Sequence, residues 1–343
     1  MRHLSAVRLG ALRMKPARRP GSQLGLELAP PGALPVLEVL ARETTFRALP
    51  VRRVLNSPAT TRMGFWSLNP YVGCEFGCSY CYARKTHQWT VERASAAGAM
   101  LPAGSAWDAF EHEILVKHSA PEVLLRTLEP GKLAGTELVI GTATDPYQPA
   151  ERRFLLTRRL LEALLLHRGL SIGIITKSPL VTRDLDLLTS LSARHELSVN
   201  ISLASMDPAL LRRLEARTPA PHARIRALAR LTRAGIRAGL LIAPILPGIS
   251  DSWASLAALM EAAQGAGARY VSGAALRLGA AARTGFLPVL QREFPELVDR
   301  YRRGYGPNFH AGKDYEQALS RRLRTLQQAF GFPVTGALRP VSD

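Results

Sequence analysis

Cysteine is nearly absent: the 343-residue chain has three, all between positions 74 and 81. Thiols so few and so close cannot form a disulfide framework, and a reducing, cytoplasmic setting is expected. Long apolar runs are missing too. No stretch approaches the ~18–20 consecutive apolar residues of a membrane-spanning helix, so no membrane partner is expected. Aromatic residues make up only 6% of the chain, and lysine is confined to Lys15, Lys85, Lys117, Lys132, Lys177 and Lys313. Acids are short as well, 27 against 45 Lys plus Arg, for a net charge of +18. That excess permits a polyanionic partner such as nucleic acid, and it equally suits a solvated surface in an Arg-biased composition. With 47% hydrophobic residues, disorder throughout is excluded, and the chain is long enough for one large domain or two ordinary ones.

Three regions are expected. Residues 1–55 read as a basic, flexible arm: Arg2, Arg8, Arg13, Lys15, Arg18 and Arg19 precede the first acid, Glu27, and Pro30, Pro31 and Pro35 follow without helical periodicity. Such a start can mimic an organellar transit peptide, whereas Arg8 and Arg13 interrupt any secretory apolar run. Residues 56–285 alternate short apolar runs with amphipathic stretches. Strands are expected at Trp66–Asn69, Glu137–Thr142, Ser171–Thr176, Leu197–Leu203, Arg237–Ala243 and Arg269–Leu276, and helices at Trp107–Leu128, Arg152–His167, Val181–Ala193, Pro208–Ala216, Pro221–Ala234 and Trp253–Gln264. This is an α/β pattern of about six βα units, and it implies a parallel sheet covered by helices, either curled into a barrel or spread as a doubly wound sheet. Residues 286–343 form a C-terminal helical extension, with helices around Leu287–Arg303 and Tyr315–Phe330 expected to pack on the open side. Interleaved Arg and Tyr from Arg300 to Tyr305 suit a nucleic-acid surface or a solvated helix face equally.

In either architecture, sites form where strands end. Thr142, Thr144 and Asp145 follow the second strand; Thr176, Lys177 and Ser178 the third; Ser202 and Ser205 the fourth; Pro244 to Gly248 the fifth. Singly, the Ser, Thr and Asp residues also serve as helix caps. In Asp145-Pro-Tyr147-Gln-Pro149 the prolines stiffen a loop that carries Tyr147, a residue suited to substrate contact, to hydrogen-atom relay or to packing. His195, His222 and His310 show no ligand spacing.

The specific signal is Cys74-x3-Cys78-x2-Cys81, with Gly73 and Gly77 allowing a tight backbone. Thiolates at this spacing suit an iron–sulfur cluster or zinc, and His87 could complete a zinc site as the fourth ligand. Three buried free thiols are the remaining alternative.

With Tyr80 just before Cys81, the motif resembles that of the radical S-adenosylmethionine enzymes. The resemblance implies a partial (β/α)6 TIM-like barrel, a [4Fe-4S] cluster on Cys74, Cys78 and Cys81 with one open iron that binds S-adenosyl-L-methionine, reductive cleavage to a 5′-deoxyadenosyl radical, and an electron donor such as flavodoxin or ferredoxin. Asn69-Pro-Tyr-x-Gly-Cys74, Cys81-Tyr82-Ala83-Arg84, Thr144-Asp-Pro-Tyr-Gln-Pro149 with Glu151, Thr176-Lys177-Ser178 and Ala243-Pro-Ile-Leu-Pro-Gly248 are similar to the spore photoproduct lyase-like branch. By that resemblance Tyr80 packs on the adenine end of the cofactor and Lys177 pairs with the methionyl carboxylate. Thr142 and Thr144 lie near the methionyl amino group, although the usual Gly-Gly-Glu pattern is absent. Ser202 and Ser205 offer hydroxyls, and Pro244 is counted with the cofactor-binding residues. The lyase of that branch returns a hydrogen atom from a cysteine outside the motif, and this chain has none. The substrate class expected first is nucleic acid, with a peptide or small metabolite next. A non-catalytic iron–sulfur or zinc nucleic-acid binder is the rival from another class.

Overall fold

Each of the six apolar runs forms a strand, and the six pair in chain order. The computed structural model describes residues 34–40, 44–61, 63–96, 106–305 and 309–334; the basic residues Arg2 to Arg19 lie outside them. The described strands are β1 (Val36–Val39), β2 (Thr45–Ala48), β3 (Leu55–Asn56), β4 (Trp66–Leu68), β5 (Tyr71–Val72), β6 (Glu113–Val116), β7 (Leu138–Ile140), β8 (Ser171–Thr176), β9 (Glu196–Ser202), β10 (Ala238–Ile245) and β11 (Val271–Ala275). The main sheet has the order β11-β10-β9-β8-β7-β4-β3, parallel from β4 to β11 with β3 antiparallel at one edge. Among the described residues, edges β3 and β11 do not pair with each other, so the sheet is open. Ile140, Ile172, Ile174, Val199, Ile201, Leu240 and Ile242 are fully buried along its middle, as strands covered by crossover helices require. Helix Lys313–Ala329 packs on β11, where Gln327 Nε2 donates to the Val271 carbonyl at 2.7 Å and occupies the exposed edge.

A second sheet departs from the expected pattern. β1, β2, β6 and β5 form a four-stranded layer with β2 and β6 parallel and the other pairs antiparallel. Residues 36–39, 45–48 and 55, read as arm, therefore lie in strands, with Phe46 fully buried. The stretch Trp107–Leu128, read as one helix, is instead helix Ala106–His112, β6, and helix Ala120–Thr127. Ile114, Leu115 and Val116 are apolar on both faces and fit between two strands, while Pro121 breaks a continuous helix but suits the first turn of a new one. The Arg152–His167 stretch also divides, at Leu155 with φ 50°, because buried Glu151 turns back to accept the Thr157 N–H at 2.8 Å and start the second helix. The expected Leu287–Arg303 helix breaks at Pro295 into helices Ala280–Glu293 and Val298–Tyr305. Among the described residues no helix is long and apolar enough to cross a membrane.

Lys117 follows β6 into the interior, 3% exposed, with its ammonium donating to the Asn69 carbonyl at 2.9 Å. Burial lowers its pKa from 10.5 to about 8. Below about pH 8 the folded chain carries a buried charge that the unfolded chain keeps in water. Between about 8 and 10.5 the unfolded chain binds the extra proton, so stability rises with pH across that window. Lys117→Met is expected to be more stable than the wild type at neutral pH by roughly 1–3 kcal/mol. Denaturant titrations at about pH 7 and pH 10 should show that gap narrowing at the higher pH; an equal gap at both would contradict the buried charge.

Candidate active site

The cysteine loop leaves β5 with its backbone held by groups from both sheets. The Cys74 N–H donates to the Phe110 carbonyl at 2.8 Å. Gly73 and Gly77 have φ of 92° and 62°; a Cβ on Gly73 would crowd the Phe110 and Glu113 carbonyls at 3.0 Å, and one on Gly77 would stand 2.7 Å from the Glu111 carboxylate. Glycine is therefore needed at both turns. From the end of β7, Thr144 Oγ1 donates to the Gly73 carbonyl at 2.6 Å, and Gln148 bridges the Gly73 carbonyl and the Glu75 N–H. Further along, the Ser79 N–H donates to the Leu214 carbonyl at 3.0 Å, the Arg217 N–H to the Phe76 carbonyl at 3.2 Å, and the Arg84 guanidinium to the Cys78 carbonyl at 3.3 Å.

Two residues expected near a methionyl amino group thus have other partners. Thr144 holds the loop, and Thr142 joins Ser67 and Asn69 in a buried cluster, with Ser67 Oγ at 2.7 Å and Asn69 Nδ2 at 3.0 Å. Asp145 accepts from Thr176 Oγ1 at 2.6 Å and the Lys177 N–H at 2.7 Å, tying the loop after β7 to the end of β8. Ser202 Oγ donates to the Ala243 carbonyl at 3.1 Å, Ser205 Oγ accepts the Asp207 N–H at 3.1 Å, and Pro244 lies within β10. Tyr147 is wholly buried beneath the Arg183 guanidinium, 6.0 Å from its ring centre, and presents no surface at the rim.

At the centre is a carboxylate that the sequence did not single out. Glu215 is fully buried; Lys177 Nζ lies 2.6 Å from one oxygen, Thr218 Oγ1 2.8 Å from the other, and Arg224 and the Tyr80 hydroxyl also bond it. Arg224, equally buried, donates as well to the Ser202 carbonyl at 3.0 Å and the Pro219 carbonyl at 2.8 Å. Lys177 Nζ also donates to Tyr80 Oη at 3.2 Å. Burial alone would raise the Glu215 pKa, but the two cations hold it well below the usual carboxylate range. In Arg-Arg-Leu-Glu215-Ala-Arg a lone acid among arginines reads as a solvated helix face, and no local signal marks it as buried.

Burial pushes all three thiols up, most plainly Cys74 and Cys78, while the Lys177 charge pulls Cys78 and Cys81 back down. Cys78 lies within electrostatic reach of both Cys74 and Cys81. Among the described residues no three His, Cys, Asp or Glu side chains are already arranged as metal ligands, so the thiols are a donor set rather than a formed centre. The chemistry of that set fits an iron–sulfur cluster: three soft sulfurs with a cation beside two of them, on a loop with backbone in a left-handed conformation at both glycines. His87 does not join them. Its Nε2 meets the Glu113 carbonyl at 3.3 Å, its ring packs edge-on to Phe110, and burial lowers its pKa to about 4.

Glu215→Gln leaves Arg224 buried without its anion, and a loss of about 3–5 kcal/mol of stability is expected. Because the carboxyl is held below its ordinary 4.5, its contribution is fully present above that value and fades as pH falls through the depressed one. Urea titrations should therefore give a constant gap between wild type and variant from about pH 8 to 5, closing only in stronger acid. A gap already closing near neutrality would place Glu215 outside the ion cluster.

Comparison with known proteins agrees with this geometry. Residues 68–260 match the model of the Radical SAM superfamily. Uncharacterized proteins of Mycobacterium bovis and Mycobacterium tuberculosis are each 33% identical over 284 residues, 82% of this chain and 80% of theirs. An uncharacterized protein of Methanocaldococcus jannaschii is 29% identical over 184 residues, 54% of this chain and 61% of its own. Among solved structures, a point mutant of spore photoproduct lyase superposes with a TM-score of 0.63 at 15% identity, covering 87% of this chain and 82% of that one. The same lyase complexed with dinucleoside spore photoproduct gives 0.57 at 16% identity, covering 90% and 86%. The open α/β sheet, the cysteine loop after β5 and the family match together make this chain a member of the radical SAM superfamily, a class of enzymes.

Proposed function

We propose that this protein binds a [4Fe-4S] cluster through Cys74, Cys78 and Cys81 and acts by radical chemistry on a nucleic-acid substrate. The observation that carries the proposal is the three-thiol loop with the Lys177 ammonium, held on Glu215, within electrostatic reach of two of its thiols. When bound, the cluster supplies the electron that cleaves S-adenosyl-L-methionine to the 5′-deoxyadenosyl radical. An external donor such as flavodoxin or ferredoxin would provide that electron.

The chain's own residues prepare the site. Lys177 uses two of its three N–H donors on Glu215 and Tyr80, leaving one donor for the methionyl carboxylate. Glu215 holds the ammonium in place, and Arg224 keeps Glu215 ionised. Tyr80, with its hydroxyl anchored on Glu215, lends its ring to the same wall. Ser202, which ends β9, and Ser205 beyond it would offer hydroxyls to the ribose or methionyl group, and Pro244 in β10 would count among the cofactor-binding residues. Thr144 acts through the loop it holds, and Thr142 through its buried cluster with Ser67 and Asn69. Nucleic acid is favoured as substrate by the +18 charge and by the likeness in fold to a lyase solved with a dinucleoside lesion.

After anaerobic reconstitution the protein is expected to hold about four iron and four sulfide per chain and, with reductant and S-adenosylmethionine, to form 5′-deoxyadenosine. One zinc per chain, or no cofactor cleavage, would sink the proposal. Alanine at Cys74, Cys78 or Cys81 should abolish both cluster and cleavage. Lys177→Ala should keep the iron while weakening cofactor binding roughly ten- to a hundredfold, the worth of a charge-assisted contact; titration of the cluster's absorption reads this directly. With no fourth thiol to return a hydrogen atom, an oligonucleotide bearing spore photoproduct is expected to elicit cofactor cleavage without efficient multiple-turnover repair. Repair at the lyase's own rate would refute that.

A further inference from the structure

Two large aromatic side chains stand open beside the cysteine loop. Tyr82 follows Cys81 directly and is 52% exposed; Phe309 is 51% exposed. Tertiary structure alone brings them together. The Leu278 N–H donates to the Phe309 carbonyl at 2.8 Å, which fixes Phe309 to the chain just beyond β11. Its ring lies against Gly279, where a Cβ would stand only 2.6 Å away. The Lys85 N–H donates to the Tyr82 carbonyl at 3.3 Å, and Lys85 Nζ lies 5.8 Å from the centre of the Phe309 ring. Exposed Arg277 lies two residues before Gly279, against which the Phe309 ring packs. Tyr82 in turn is anchored through its hydroxyl to the Thr142 carbonyl beyond β7. Lys85, one turn of helix from Tyr82 and over the Phe309 ring, and Arg277, on the segment that holds Phe309, thus accompany the two aromatic side chains.

We infer that this surface is a stacking platform for a single-stranded polynucleotide, with unstacked bases on Tyr82 and Phe309 and phosphates beside Lys85 and Arg277. Each component of the partner matches a component of the surface. Base faces stack on aromatic rings whatever the sequence, and neighbouring cations meet the backbone. A duplex hides those faces inside its own stack and could use only the cations. An acidic peptide would likewise leave both rings in water. The Cys81–Tyr82 junction places such a base next to the cysteine loop, so the inference rests on, and sharpens, the reading of this site as one that acts on nucleic acid.

The test is fluorescence anisotropy of the anaerobically reconstituted protein with a short fluorescein-labelled oligothymidylate, beside a 5′-deoxyadenosine assay without oligonucleotide. Oligothymidylate should bind more tightly than its duplex with oligoadenylate. Phe309→Ala should weaken it roughly five- to a hundredfold, Phe309→Trp should restore it, and Gly279→Ala, which displaces the ring, should behave like the Phe309 truncation. Arg277→Ala should lower the slope of log affinity against log salt by about one. Cofactor cleavage without oligonucleotide should be unchanged in all four variants. Equal binding of single strand and duplex, stronger binding of polyglutamate, or wild-type affinity in Phe309→Ala would overturn the platform while leaving the enzyme reading intact. Oligothymidylate binding with these mutational effects but without cofactor cleavage in the wild type would uphold the platform and overturn the enzyme reading.

Discussion

A carboxylate taken out of water must meet positive charge and hydrogen-bond donors, or the fold that buries it is lost. Much of this structure is arranged around that requirement. Glu215 is met by Lys177, Arg224, Thr218 and Tyr80, and in being met it joins the end of β8, the cysteine loop and helix Pro221–Arg233. Glu151, also fully buried, accepts the Tyr71 hydroxyl at 2.6 Å and faces Arg183 at 2.9 Å, which couples the small sheet to the segment after β8. Asp184 completes the series between Arg158 and Arg183. Each centre removes a charge from solvent and joins elements distant in the chain.

The two sheets divide the work of presenting the cysteine loop. The main sheet supplies a row of strand ends, from which Thr144, Asp145, Lys177 and Arg224's partner Ser202 reach one rim. The small sheet supplies the base: β5 leads into Gly73, and the segment before β6 takes the Cys74 N–H through the Phe110 carbonyl. Cys74 and Cys78 are buried and Cys81 partly so, and at such positions a neighbouring ammonium acts at greater strength than it would in solvent. The likeness to spore photoproduct lyase in fold, at 15–17% identity in the superposed structures, shows the same frame built from largely different side chains.

The main sheet was legible because a parallel strand buried on both faces must be apolar nearly throughout, and that leaves a local trace in runs such as Ser171–Thr176 and Ala238–Ile245. The spacing of Cys74, Cys78 and Cys81 is likewise local, and so is the placement of Lys177 just past a strand. β6 escaped because Glu113–Val116 is as apolar as a buried turn of helix and lies between two real helices, so only its pairing with β2 and β5 decides its conformation. β1 and β2 escaped because they are short and follow an Arg- and Pro-rich run that has no periodicity of its own.

What the sequence by itself determined is the set of reactive groups and the strand ends that carry them: three thiols on one loop, one lysine after β8, a basic chain without further cysteine. Tertiary structure alone decided which of those groups remain available. Thr144 spends its hydroxyl on the loop and Thr142 on Ser67 and Asn69, Tyr147 lies under Arg183, and Glu215, unremarkable among arginines, becomes the centre of the site. The physical reason is range. Secondary structure and motif spacing follow from neighbours a few residues apart, whereas a hydrogen-bond partner or an ion-pair partner, such as Lys177 for Glu215 or Leu278 for Phe309, is chosen by distance in space between segments the chain does not connect locally.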